Sequence, residues 1–222
     1  MPYLAPARYI AVDIAVEEIA RSLAKMAPEF PEIEMLGIVA DFTRGLDVKQ
    51  DLDAGAVTFF YPGSSIGNFT PADALAFLRD VHLHCLGREG SGLLIGVDTK
   101  KDKARLDAAY DDSVGVTAAF NRNVLHHVNR LLASDFRPEA FAHRGFYNAE
   151  QGRVEMHLEA QSAQAVHLPG AVRTFTAGER IHTENSYKYT PAEFTSLLQD
   201  AGFARVTCWQ DAARDFAVFY AA

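Results

Sequence analysis

Residues 57–78, VTFFYPGSSIGNFTPADALAFL, decide the fold. Four β-favouring residues, Val57, Thr58, Phe59 and Phe60, run into Pro62-Gly63, a pair that a strand interior does not accommodate. A tight polar run, GSSIGN at 63–68, follows. Thr70 then suits a helix N-cap, and Pro71 suits the first turn, where its missing N–H costs nothing. Asp73 sits near the positive end of that helix dipole, and Ala74, Leu75, Phe77 and Leu78 supply an apolar face. Strand, glycine-bordered loop, helix is how an open α/β sheet presents a ligand site at the carboxyl ends of its strands. The glycines let backbone approach a ligand closely, and Asn68 is the polar group at the rim. The same loop also matches G-x-S-x-G, which would make Ser65 a hydrolase nucleophile. That elbow begins its helix at the serine, whereas here the helix start is Thr70-Pro71.

Upstream, residues 8–14 read as a short buried strand that reaches its acid at Asp13. Residues 15–26 follow as an amphipathic helix, with Ile19, Ala20, Leu23 and Ala24 at helical spacing. A second strand, residues 34–39, closes with Ala40-Asp41-Phe42. Two strands therefore each end in an aspartate where the sheet opens to a ligand. In nucleotide-binding α/β folds an acid there accepts hydrogen bonds from ribose hydroxyls, and an acid-aromatic pair can flank the base. A lone strand-end aspartate more often caps a helix, and the pairing with the loop at Gly63 shifts that balance.

Downstream, the helix at 71–86 leads to a strand over 93–98, so parallel strands spaced by helices are the rule. From Lys100 the rhythm changes. A short charged helix over 100–106, a turn at 108–112 and one long helix over 116–132 precede a connector at 136–146. Residues 153–161 alternate like a strand, with Val154, Met156 and Leu158 on one face. Further strands begin at 166 and span 181–189, an antiparallel patch with one solvated face. Thr190, Pro191 and Glu193 then form a capping box. That helix ends at Gly202, and strands at 204–209 and 216–220 pair antiparallel across a short turn. Three units are expected: a sheet domain over 1–98, an inserted region over 99–187 lying on the ligand edge, and a C-terminal part over 188–222 completing the sheet.

The 222 residues suffice for a sizeable core, and 49% hydrophobic with 23% charged residues is ordinary for a soluble globular protein. A net charge of −8 without a basic cluster disfavours nucleic acid and anionic membranes as partners. Apolar runs are short, and the N-terminus lacks a basic-then-apolar signal. Cys85 and Cys208 form no C-x-x-C motif, so a reducing cytoplasm with both as buried thiols is expected. His126 and His127 are adjacent on a helix and face different directions, which opposes joint metal ligation; no metal is implied.

The ending helix, AGF, strand, short turn, strand resembles that of class I S-adenosylmethionine-dependent methyltransferases. The strings VDI at 12–14, ADF at 40–42, FYPGSSIGNF at 60–69, AAYDD at 108–112, GVTAAFNRNVL at 115–125, EMHLEA at 155–160 and TENSYKY at 183–189 narrow it. In that order they resemble the L-histidine Nα-methyltransferases of ergothioneine biosynthesis over nearly the whole chain. The resemblance implies a Rossmann-like sheet carrying an inserted α+β substrate-binding region, with S-adenosyl-L-methionine as cofactor and L-histidine as substrate, methylated to the betaine hercynine. Asp13 would hold the cofactor's ribose, and Asp41 and Phe42 would flank its adenine. Asn68 and Tyr110 would hold the substrate's amino-acid head and act in catalysis, with Gly63 lining the pocket. Glu184 and Ser186 would grip the imidazole, and Met156 would wall the pocket or simply pack in the core.

The physical chemistry is compatible. Methyl transfer from a sulfonium is an in-line displacement, so positioning and desolvation are the protein's main tasks. A neutral amine calls for uncharged polar neighbours, and imidazole, with one donor and one acceptor nitrogen, calls for a carboxylate and a hydroxyl. Two siblings of this reading are a methyltransferase for another amine and an inert remnant that only binds a partner. One departure bears on them. The family opens its sheet with a strand and an E-x-G-x-G turn, and no such turn precedes Arg8. The sequence therefore predicts a sheet lacking its first strand, in an N-terminally truncated chain with weak cofactor affinity. It also predicts that Asp13, Asp41, Asn68 and Glu184 surround one hollow.

Overall fold

In the computed structural model, which describes residues 6–222, β1 (Arg8–Asp13) and β2 (Glu34–Val39) pair in parallel, with α1 (Val16–Met26) between them in sequence. β3 (Thr58–Tyr61), α2 (Pro71–Cys85) and β4 (Gly92–Asp98) repeat the parallel rhythm. Thr70 caps α2 by accepting from the Asp73 amide, and Pro71 is its first residue, as the sequence leads one to expect. The region expected as an insertion holds α3 (Lys103–Tyr110), α4 (Val116–Leu132), β5 (Phe141–Asn148), β6 (Arg153–Ala160), β7 (Gln164–Leu168), β8 (Ala171–Phe175) and β9 (Arg180–Tyr187). α5 (Pro191–Ala201), β10 (Val206–Gln210) and β11 (Phe216–Ala221) complete the chain, and α5 carries the capping box of Thr190 and Glu193.

Four strands form one sheet in the order β10-β11-β4-β3, antiparallel except for β3 and β4. β4 is its centre: Leu93, Ile95 and Val97 are buried on it and pack with Ala74, Leu78 and Val81 of α2 and Phe194 and Leu198 of α5. Burying that stripe is what holds α2 and α5 against the sheet. β1 and β2 form a separate pair, and among the described residues no strand joins the free edges of β1 and β3. Outside the main sheet and paired there only with β2, β1 is half-buried rather than the buried strand expected. The aromatic ring of Phe42 helps to connect the two parts, meeting Tyr61 edge-on at 6.0 Å and Phe77 at 5.9 Å.

The insertion has its own sheet, β5-β6-β9, and its own small core of Leu125, Phe141, Leu158, Val166 and Phe175. Residues 141–148 are a strand, which overlaps the connector expected over 136–146. Their inward positions are Phe141, His143 and Gly145, so the alternation is real but only one of the three is a large apolar residue. β7 and β8 make a separate hairpin, of which only β7 was expected. Cys208 is exposed and Cys85 half-buried, a correction to the expected pair of buried thiols.

Candidate active site

A cavity of about 410 Å³ lies where the loop after β3 meets the ends of β4 and β9. The loop contributes Gly63, Ser64, Ser65 and Asn68 to its walls. Gly63 and Ser64 both adopt left-handed backbone, at φ 77° and 61°, which reverses the chain directly after the strand. For serine that conformation costs on the order of 1 kcal/mol, offset here because Ser64 Oγ accepts from the Asp98 amide at 2.8 Å and ties the loop to β4. A 3₁₀ turn over Ser65–Asn68 follows, with Gly67 against the Tyr187 backbone of β9. A side chain there would hold the two apart; glycine lets Asn68 come up to the insertion.

β9 is aimed at the cavity by a bulge. Met156 pairs with Glu184 and His157 with His182, so Thr183 is the extra residue between them. Regular alternation would put His182 and Glu184 on one face. The bulge instead separates them, and Glu184 and Ser186 enter the cavity while His182 stacks on His157 at 4.4 Å on the opposite face. Thr183 Oγ1 donates to the Met156 carbonyl at 3.0 Å, satisfying an acceptor at the bulge. Burial raises the Glu184 carboxyl above the ordinary range, with Lys188 opposing the shift. Glu155, His157 and His182 lie close enough to suggest metal ligation. Their imidazoles, however, are stacked with planes 21° apart, so the in-plane lone pairs run side by side rather than converging, and Glu155 already accepts from Arg153, Asn148 and His157.

Tyr110, the last residue of α3, is fixed at backbone and side chain. Its carbonyl lies against Gly145 of β5, where a side chain would collide, and accepts from His143 Nε2 at 2.7 Å. Asn121 of α4 donates to His143 Nδ1 at 3.0 Å, which leaves Nε2 as the protonated nitrogen. The Tyr110 hydroxyl is 2.9 Å from Ser186 Oγ, and Lys188 Nζ lies 2.8 Å from each oxygen. Asp98, at the end of β4, pairs with Lys188 at 2.8 Å and with Lys101 at 2.6 Å.

Of the residues singled out in the sequence, Gly63, Asn68, Tyr110, Glu184 and Ser186 share this cavity. Met156 is buried directly beside Glu184 in the sheet but does not line it. Asp13 and Asp41 are not among its walls, so the expected single hollow is not formed. The reason is the divided sheet: both acids belong to the β1–β2 side. Asp13 accepts from the Ala15 amide at 2.8 Å, the helix-capping role. Asp41 accepts from the amide and hydroxyl of Thr43, which holds its carboxyl below the usual range. Asp98, Lys188 and Phe216 were not anticipated. Asp98 carried the same signal as Asp13 and Asp41, an acid closing a strand. Ser65 lines the cavity, but no histidine does, and α2 starts only at Pro71, so the hydrolase elbow is absent.

Comparison with known proteins adds to this geometry. The family profile described as histidine-specific methyltransferase, SAM-dependent, matches residues 2–222. A histidine N-alpha-methyltransferase of Mycolicibacterium smegmatis is 39% identical over 211 residues, covering 94% of this chain and 64% of that protein. One from Mycobacterium tuberculosis is 37% identical over 217 residues, covering 97% and 66%. Ergothioneine biosynthesis protein 1 of Neurospora crassa is 30% identical over 207 residues, covering 90% of this chain and 23% of that protein. The chain thus spans slightly under two thirds of the two histidine methyltransferases. No helix among the described residues is long and apolar enough to cross a membrane.

Proposed function

This chain belongs to the family of histidine-specific, SAM-dependent methyltransferases, and on that premise we propose that it methylates the α-amino group of L-histidine, leading to hercynine. One observation carries the proposal. A single cavity joins a half-buried carboxylate and a hydroxyl pair on β9 and α3 with Asn68 on the strand-end loop. Glu184 accepts from one imidazole nitrogen, and Ser186 donates to the other. Asn68 and Tyr110 receive the amino-acid head without adding formal charge, which favours the neutral amine that methylation requires. The inserted region thereby delivers the amino acid, and the sheet domain holds the second reactant.

Two strand-end acids that lie outside this cavity offer groups suited to S-adenosylmethionine. Asp13 is exposed at the end of β1 and commits one oxygen to Ala15, leaving acceptor capacity for ribose hydroxyls; Asp41 stays ionised beside Phe42 for the adenine. When bound, the cofactor supplies an electrophilic methyl group on a sulfonium. The residues of this chain orient the amine toward it. Transfer of label from methyl-labelled S-adenosylmethionine to a panel of amino acids tests the reading. Turnover with histidine supports it, and turnover only with another amine reassigns the substrate.

A further inference from the structure

Lys188 is 1% exposed at its side chain and lies behind the cavity wall formed by Tyr110, Ser186 and Asp98. An ammonium has three hydrogens, and here they meet three acceptors, Asp98 Oδ2, Tyr110 Oη and Ser186 Oγ, each at 2.8 Å. The Tyr110 ring also lies 4.7 Å from the same nitrogen, which adds cation–π attraction. Asp98 is itself held by Lys101, so the cation sits in a braced frame.

The hydrogen count has a consequence. Both hydroxyl oxygens accept from Lys188, and the 2.9 Å contact between them uses one of their two hydrogens. One hydroxyl hydrogen is left, and the cavity is the side on which a ligand can accept it. Without the ammonium, the lone pairs it occupies on both oxygens are released, and the pair can offer the ligand a donor or an acceptor interchangeably. We propose that Lys188 is a positioning residue: it locks Tyr110 and Ser186 into a pair that presents one hydrogen-bond donor to the bound amino acid. This rests on the functional reading above, in which that amino acid is histidine. It assigns to a residue that does not touch the ligand the ordering of two residues that do.

The test is a double-mutant cycle on the full chain, read by titration calorimetry with L-histidine and by thermal melting. Lys188→Met in the wild-type background is expected to raise the histidine Kd about tenfold or more, the scale of one well-placed hydrogen bond. In a Tyr110→Phe/Ser186→Ala background the same change is expected to alter Kd by less than about threefold, because its two clients are gone. A Lys188→Met protein that binds histidine as the wild type does overturns the inference. So does an equal loss in both backgrounds, which marks a merely structural lysine. If Lys188→Met alone does not fold, Lys188→Met/Asp98→Asn removes both charges of the buried pair and carries the same comparison. A wild-type chain that binds no histidine refutes instead the functional reading on which the inference stands.

Discussion

A methyl group placed on Gly67 would stand 2.7 Å from the Tyr187 carbonyl oxygen, 3.3 Å from the Tyr187 nitrogen and 3.4 Å from Ser186 Oγ. Gly67 lies in a 3₁₀ turn and is not in the left-handed region, so alanine suits the backbone and only the contact is at issue. An ordinary carbon–oxygen contact is about 3.3–3.6 Å, so the turn and β9 must separate by roughly 0.6 Å or more. Both obstructing Tyr187 atoms are backbone, and no side-chain rotation relieves them. Overpacking of this kind costs about 1–3 kcal/mol, which lowers the melting midpoint by roughly 2–12 °C in a protein of this size. The separation moves Asn68, next to Gly67, relative to Ser186, and both line the cavity. Since a misplacement near 1 Å can cost about 100-fold, the histidine Kd of Gly67→Ala is expected to rise about tenfold. Differential scanning fluorimetry and titration calorimetry read the two effects, with Gly55→Ala as control because open space surrounds Gly55. A Gly67→Ala protein with wild-type melting and wild-type histidine affinity refutes the close approach of loop and β9.

Glu184→Gln separates stability from binding. Burial raises the native pKa of Glu184, so its contribution is fully present below the unfolded value and is lost as pH rises through the native one. The glutamine variant is therefore expected to gain in stability relative to wild type from acid to neutral pH by urea unfolding, while losing histidine affinity far more than cofactor affinity. Deleting Thr183 removes the bulge and shifts part of β9 by one residue, so histidine binding is expected to vanish in calorimetry. The milder Thr183→Val strips the Met156 carbonyl of its hydroxyl donor, and about 1 kcal/mol of stability should go with it in urea titration. Thr190→Ala breaks the capping box of α5, a helix that does not line the cavity; a loss of about 1 kcal/mol with unchanged histidine affinity is expected.

The parallel units were legible because their signals are local. Pro62-Gly63 ends β3, Thr70-Pro71 opens α2, and Thr190 with Glu193 caps α5; each depends on neighbours in sequence alone. The long helix α4 was equally plain from its apolar period. β5 was hidden because a histidine and a glycine occupy two of its inward positions, where they serve Tyr110 rather than a hydrophobic core. The bulge at Thr183 has no periodic signature, yet it decides that Glu184 and not His182 faces the cavity. Tyr110, Glu184 and Ser186 were found through strings shared with a family and Asn68 also through its place in the strand-end loop, whereas the role of Lys188 depends on Tyr110 and Asp98, both remote in sequence and brought to it only by the fold. The strand-end acids Asp13 and Asp41 were visible but not their separation from the cavity, since which strands pair is a property of the whole sheet.

A crystal structure of the protein grown with L-histidine would bear on the substrate assignment without an intermediary. The imidazole is expected between Glu184 and Ser186, with the α-amino group turned toward Asn68. Histidine bound elsewhere, or bound here with its ring at the Asn68 end, contradicts the assignment of that cavity.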